Sequence, residues 1–285
     1  ISRTWTIEKP EWANKTARSA VTCSLSNLGT AFKNFFRHNT KYPKKYKRSQ
    51  GISFQVAPDK AAIVGNQLRL PNIGYVKLRE TPRFQGKITG YTVRLVASHW
   101  YVTVAFDCPT VQFEAPESVV GIDVGLQHPA VASDGTVLQL PTEKLQKLEA
   151  KKRRAQRALS RSKRNSNARE RKRTKLQRIQ QRITNIRQDA VHKFTTTVCK
   201  NHAAVVTEDL DIQELKDKAP ARSVRRAYNS SLMGLILFQI SYKAVHHIKA
   251  PKYFPSTKRC STCGHVKKAM PPNVRTYHCE ACGTH

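Results

Sequence analysis

Apolar residues recur at threes and fours over residues 13–37, at Ala17, Val21, Leu25, Leu28, Phe32 and Phe35 or Phe36, and predict a helix with one apolar stripe. Over residues 51–107 the period changes to two. Trp100, Val102, Val104 and Phe106 alternate with Tyr101, Thr103 and Ala105, and turn signals stand at Gly65-Asn66, Pro71-Asn72, Gly74, Gly86 and Gly90. Short alternating runs between such turns predict a small antiparallel barrel or sandwich, closed by a linker at 109–116. From Ser118 the pattern changes again. Val119-Val-Gly-Ile-Asp123 is an apolar run ending in a carboxylate, and Ser133-Asp-Gly135 is a hairpin turn between Ala130–Ala132 and Val137-Leu138.

Two helical stripes follow. Leu145, Leu148, Ala155 and Leu159 mark the first; Leu176, Ile179, Ile183, Ile186, Ala190, Phe194 and Val198 mark the second. With Arg164–Asn167 between them, they predict a long antiparallel helical hairpin at about 142–200 with a narrow apolar seam. Ala203–Val206 reads as a short buried strand running into Thr207-Glu-Asp209, Lys216–Arg226 as a basic loop, and about Leu232–Ile248 as an apolar helix.

Charge sharpens this picture. The chain of 285 residues carries 51 Lys and Arg against 19 Asp and Glu, a formal net charge of +32. Such an excess implies a polyanionic partner, nucleic acid first and an anionic membrane second. No apolar run reaches the roughly 18 residues that span a bilayer, and residues 1–12, interrupted by Glu8 and Glu11, do not read as a signal peptide. In the hairpin only Glu143, Glu149 and Glu170 oppose the cations between 141 and 188. Uncompensated like charge costs free energy, so a polyanion is expected along Lys151, Lys152, Arg153, Arg154, Arg171, Lys172 and Arg173. On the first helix, Arg18 and Lys33 lie off the apolar stripe, on either a solvated face or one laid on a phosphate backbone. The segment 38–50 interleaves Tyr42 with Lys44 and Lys45, a mixture suited to single-stranded RNA, where rings stack and cations hold phosphates.

The strongest chemical signal is two C-x2-C pairs, Cys260/Cys263 and Cys279/Cys282, each followed by a glycine. Their separation is that of a four-thiolate zinc knuckle. With four cysteines so spent, His265, His278 and His285 read as non-ligands. Cys23, Cys108 and Cys199 read as packed thiols in a reducing compartment. A weaker signal is a pair of acids at the ends of apolar strands, Asp123 in Gly121–Gly125 and Glu208 in Val205–Asp209. Such carboxylates suit magnesium, which wants hard oxygen ligands, and two ions can clamp the attacking and leaving oxygens of an in-line phosphodiester cleavage. Strand-end acids are also common turn formers and helix caps; Asp209 and Asp211 read as turn formers in preference to groups supporting the metal ligands.

The wording of residues 121–135, Gly-Ile-Asp-Val-Gly-Leu-Gln-His-Pro-Ala-Val-Ala-Ser-Asp-Gly, resembles the first motif of RuvC-like nucleases of the TnpB family. These are transposon-encoded RNA-guided DNA nucleases related to miniature type V CRISPR effectors. The resemblance continues in family order through residues 31–37, 67–74, 185–196, 206–210, 253–264 and 274–279. It implies an α+β multidomain protein. Residues 1–50 would be the remnant of a helical recognition lobe with a basic linker, and 51–117 a β-barrel wedge domain. Residues 118–255 would be an RNase H-like, RuvC-like core containing the basic hairpin, and 256–285 a zinc ribbon. Asp123 and Glu208 would be catalytic ligands of two magnesium ions, with structural zinc on the four cysteines. Arg275 would contact the scissile phosphate or brace the knuckle. The partners would be a guide RNA and double-stranded target DNA with a short adjacent recognition motif, without a membrane, in the cytoplasm of a bacterium or archaeon at its nucleoid. In the family a third catalytic carboxylate follows the second cysteine pair, so it is expected beyond His285, and further recognition helices before Ile1. The alternative is a nuclease-inactive, guide-directed DNA-binding repressor; the presence of Asp123 and Glu208 argues against it.

Overall fold

The alternation of residues 100–106 becomes the strand β6 (His99–Asp107), paired antiparallel along its length with β5 (Lys87–Val96) in a computed structural model of the chain. The structure describes residues 16–45, 52–84, 86–108, 117–252, 254–255, 257–270, 274 and 276–285. It divides into two compact units, residues 1–111 with 150–181, and 112–149 with 182–285.

In the first unit β1 (Ile52–Val56) pairs with the other edge of β5, giving the order β1-β5-β6. A second three-stranded antiparallel sheet runs β2 (Ala62–Val64), β3 (Gln67–Leu70), β4 (Gly74–Lys77). The inward residues of both sheets, Val56, Leu68, Leu70, Tyr91 and Val93, share one core with Ala61. The β5–β6 hairpin turns at Ala97 and Ser98 with φ of 48° and 76°. Two left-handed residues match the twist of a hairpin but disfavour side chains with a Cβ. Arg178 holds this turn, donating from Nε and Nη2 to Ser98 Oγ at 3.0 and 2.8 Å.

The predicted first helix is α1 (Arg18–Phe36), shorter than the periodic stretch and without a single buried residue. Asn27 ties it to β1 by donating to Gln55 Oε1 at 2.9 Å. The helical hairpin is α2 (Thr142–Ser160) and α3 (Asn167–Asn201). Its antiparallel sense is marked at the tip, where Arg169 Nη1 donates to the carbonyls of Leu159 and Ser162, and near the base by the Arg187–Glu149 ion pair at 3.6 Å.

The second unit is built on a four-stranded sheet ordered β10-β9-β7-β8. Strands β7 (Val119–Asp123), β9 (Ala204–Glu208) and β10 (His246–Ala250) are mutually parallel; β8 (Val131–Ala132) is antiparallel to β7. Val120, Ile122 and Val205 meet Val191, Phe194 and Val198 of α3 in one core, with Ile236 and Ile240 of α6 (Met233–Lys243). Two short helices, α4 (Ile212–Asp217) and α5 (Arg222–Ser230), link β9 to α6.

Three expectations change. The apolar helix at 232–248 ends at Lys243, and His246–Ala250 become a strand because they pair with all of β9. The basic loop at 216–226 partly folds into α5. Cys108 is exposed rather than packed, whereas Cys199 is buried.

At the amino ends of the parallel strands a hydrogen-bonded chain joins three segments. Ser118 Oγ lies 2.9 Å from His202 Nδ1, and His202 Nε2 lies 3.1 Å from Asp134 Oδ2. A backbone donor, Thr136 N–H, and then His202 hold the Asp134 carboxyl below its usual range. A depressed carboxylate stabilises the fold above its unfolded pKa of 3.8, and that contribution is lost as pH falls below it. Asp134→Asn is therefore expected to cost about 1 kcal/mol at pH 7 and progressively less in acid, read from urea midpoints at both pH values.

Candidate active site and metal centre

The register of β7 against β9 pairs Ile122 with Thr207, so Asp123 and Glu208 each end their strand at the same level and on the same edge of the sheet. Ala250 of β10 pairs with Glu208 on the other side. Parallel strands leave such ends facing one crevice, the usual ligand position in open α/β sheets. Here the crevice is a cleft of about 900 Å³ lined by Asp123, Glu208, Asp209, Asp211, Glu214, Lys218, Lys252 and Phe254. The turn after Asp123 is tight. Gly125 N–H donates to His128 O at 3.2 Å, and a Cβ at Gly125 would come within 3.2 Å of that same oxygen.

Three of the five acids in the cleft are committed to other work. Asp211 caps α4, its Oδ1 accepting from Gln213 and Glu214 N–H. Asp209 pairs with Lys249 at 3.0 Å. Glu214 is held from both sides, by Lys218 at 2.6 Å and Lys252 at 2.8 Å, and these hydrogen-bonded ammonium groups bring its carboxyl down to about 2. At the strand ends, Asp123 is exposed and Glu208 half-buried. Behind Glu208 the buried Thr207 meets His247 Nε2 at 2.9 Å, fixing β9 to β10. The arrangement offers hard carboxylate oxygens in an open cleft, a donor set that suits a hydrated divalent cation.

The four cysteines converge as their spacing predicts. All four Sγ atoms lie within 4.8 Å of one another. Cys260 and Cys282 are 3.6 Å apart and Cys263 and Cys279 3.5 Å, close to the roughly 3.8 Å edge of a tetrahedron with Zn–S bonds of about 2.3 Å. The two knuckles repeat one geometry. Gly264 N–H returns to Cys260 O and Gly283 N–H to Cys279 O, and both glycines are left-handed, at φ 75° and 71°. Only glycine takes that conformation without strain. Among the described residues the cluster contains no histidine, and the His278 and His285 rings lie against each other, tilted by 31°, with centroids 4.4 Å apart.

The basic candidates lie on α1, just after it, and on α2 and α3. Arg18 and Lys33 are exposed on α1, and Tyr42, Lys44 and Lys45 follow it. The Tyr42 ring meets Phe32 and Phe35 edge-on at 5.8 and 5.3 Å, so it is part of an aromatic cluster as well as an exposed ring. Lys151, Arg153 and Arg154 of α2 are exposed and Lys152 is half-buried. On α3, Arg171 is exposed, Lys172 donates to Ser162 Oγ and Arg173 pairs with Glu170. Arg275 lies outside the described residues. Lys252, Glu214 and Phe254 went unpredicted: only the i,i+4 spacing of Glu214 and Lys218 signals them locally, and the Lys252 contact spans 38 positions.

A family model described as "Probable transposase", OrfB_IS605, matches residues 103–219. "Putative RNA-guided DNA endonuclease InsQ" of Escherichia coli (strain K12) is 31% identical over 299 residues, covering 97% of this chain and 74% of that protein. A Streptomyces pristinaespiralis protein bearing the same description is 29% identical over 92% of this chain and 66% of its own length. One from Mycobacterium tuberculosis is 30% identical over 80% of this chain, which spans 54% of it. The cryo-EM structure of a Cas12f1-sgRNA-target DNA complex aligns over 91% of this chain and 73% of that one, with a TM-score of 0.37 and 14% identity. With the E. coli protein matched over nearly all of this sequence, the chain belongs to the TnpB family, whose OrfB_IS605 model it also matches.

Proposed function

We propose that this protein is an RNA-guided DNA endonuclease whose active centre is the cleft at the carboxyl ends of β7 and β9. One observation carries the reading: two carboxylates, Asp123 and Glu208, end neighbouring parallel strands at the same level above one open cleft. Relatives described as RNA-guided DNA endonucleases support it from outside the structure.

In this reading residues 118–255 form an RNase H-like core, 51–117 the wedge domain that grips guide RNA, and 1–50 the remnant of the recognition lobe. Residues 256–285 form the zinc ribbon. Asp123 and Glu208 would hold magnesium. When bound, two such ions would supply Lewis-acid stabilisation to the attacking and leaving oxygens of the phosphodiester. The chain's own task is then positional. The sheet fixes the two carboxylates side by side, the capped and ion-paired Asp211, Asp209 and Glu214 keep the neighbouring backbone in place, and the cationic helices hold polyanion. Specificity would come from guide pairing, with the protein reading duplex shape and a short adjacent motif. The four-cysteine cluster would take structural zinc and leave catalysis to the other site. Among the described residues no helix is long and apolar enough to cross a membrane.

The test is cleavage of plasmid DNA by purified protein with a guide matched or mismatched to the target. Cutting at the matched site alone, lost on chelation of magnesium, is the expected result. Cutting that ignores the guide, or persists in EDTA, rejects the proposal.

A further inference from the structure

Phe254 is an apolar ring outside both packed cores. It is 44% exposed and lines the carboxylate cleft. Its position is nevertheless well determined. Phe254 N–H donates to Pro251 O at 3.0 Å, closing a turn directly after β10. The guanidinium of Arg259 lies over its ring, Cζ 5.7 Å from the centroid, an attractive cation–π arrangement. An aromatic ring braced by a cation and still partly open to a cleft can serve as a platform for a second planar group.

Two residues earlier in the same turn, Lys252 lines the same cleft. Its ammonium rests on Glu214, which also takes Lys218. Two ammonium groups thus share one carboxylate, in a cleft that Asp209 and Asp211 also line. Lys252 is also half exposed at 48%, so an incoming anion can reach it without dissolving the fold, and Lys218 keeps Glu214 paired if Lys252 turns away.

We infer that Lys252 and Phe254 form a seat for one nucleotide of the DNA strand entering the cleft, the base stacked on Phe254 and a flanking phosphate on Lys252. The chemistry is that of single-stranded nucleic-acid binding, in which an aromatic face accepts any base and a cation tracks the backbone. A strand seated there occupies the cleft that Asp123 and Glu208 also line. The seat therefore deepens the nuclease reading and rests on it: Phe254 and Lys252 position the strand, and the carboxylates serve the cleavage. Arg259, which braces the ring, is one residue before Cys260 of the cysteine cluster.

The experiment uses the full chain with guide RNA and a matched target carrying 2-aminopurine at single positions of the strand to be cut. In an Asp123→Ala background, which holds uncut DNA, one position is expected to show quenched emission from stacking, and Phe254→Leu to release that quenching. With Asp123 intact, Phe254→Leu is expected to slow cleavage at saturating target about tenfold, and Phe254→Tyr to restore it. Lys252→Gln is expected to shallow the log–log salt dependence of cleavage by about 0.7, with Lys252→Arg near the parent. Zinc content at the parental value separates a lost platform from a damaged knuckle. Parental cleavage and unchanged emission in Phe254→Leu overturn the seat. Undiminished cleavage by Asp123→Ala overturns the nuclease reading instead, and the emission signal still decides whether a base sits on Phe254.

Discussion

Asp123→Ala is expected to lower guide-directed DNA cleavage by about a thousandfold or more while target binding stays within about twofold. The separation follows from the geometry. Asp123 ends β7 with its side chain exposed, so truncation removes no core packing, and surface substitutions of that kind shift stability by about 0.5 kcal/mol or less. Its backbone remains held, because its pairing with Val131 of β8 does not involve the side chain. What disappears is one of the two carboxylates that end β7 and β9 at the cleft. Glu208→Gln is expected to produce the same loss, since an amide keeps the size but not the charge that draws a divalent cation. Binding and cutting are read on one preparation, by gel shift and by product formation. Equal rates for parent and Asp123→Ala would reject the assignment of the carboxylates.

Removing the metal from the four-cysteine centre is expected to have the second largest effect, and in a different place. Structural zinc sites in small modules supply about 10–16 kcal/mol of apparent folding free energy. The segment 257–285 has little else: Cys260 and Cys279 are its only buried residues among those described. Its turns close through backbone hydrogen bonds around the cysteines. Cys260→Ser, or chelation, is therefore expected to abolish amide protection across residues 257–285 while the sheet β7-β9-β10 keeps its own. Elemental analysis is expected to give one zinc per parental chain and about a tenth of that or less in the variant. Unchanged protection of the segment in a zinc-free protein would show that the cysteines are not its organising element.

Local patterning reaches some features of this molecule and stops at others for identifiable reasons. The period of two at Trp100–Phe106 and the seam from Leu176 to Val198 predict β6 and α3, because each is long and its stripe is regular. The cysteine knuckles are legible because spacing and glycines are covalent neighbours. The strand-end acids are legible as candidates only. What raises them is the pairing of Ile122 with Thr207, 85 positions apart in the chain. The tail of the apolar helix misleads: Val245 and Ile248 continue a helical spacing, yet His246–Ala250 find partners along β9, and tertiary pairing overrides local period. Helix α5 hides behind its arginines, with only Val224, Ala227 and Tyr228 half-buried among its apolar residues. The Asp134–His202 and Lys252–Glu214 contacts join positions 68 and 38 apart, and nothing near either residue announces them. The first helix inverts the usual inference, since its apolar stripe exists but buries no residue completely.

The level ending of β7 and β9 makes the sheet a ruler. The spacing between the two carboxylate-bearing backbones is the interstrand distance, about 4.8 Å, and no side-chain substitution alters it. What evolution or a designer can alter is reach: aspartate and glutamate differ by one carbon–carbon bond of about 1.5 Å. Exchanging the two, as Asp123→Glu with Glu208→Asp, conserves charge, composition and backbone, yet moves the midpoint between the carboxylates sideways across the cleft. The double exchange is thus a displacement of the centre at constant chemistry, and the sheet supplies the scale against which that displacement is measured.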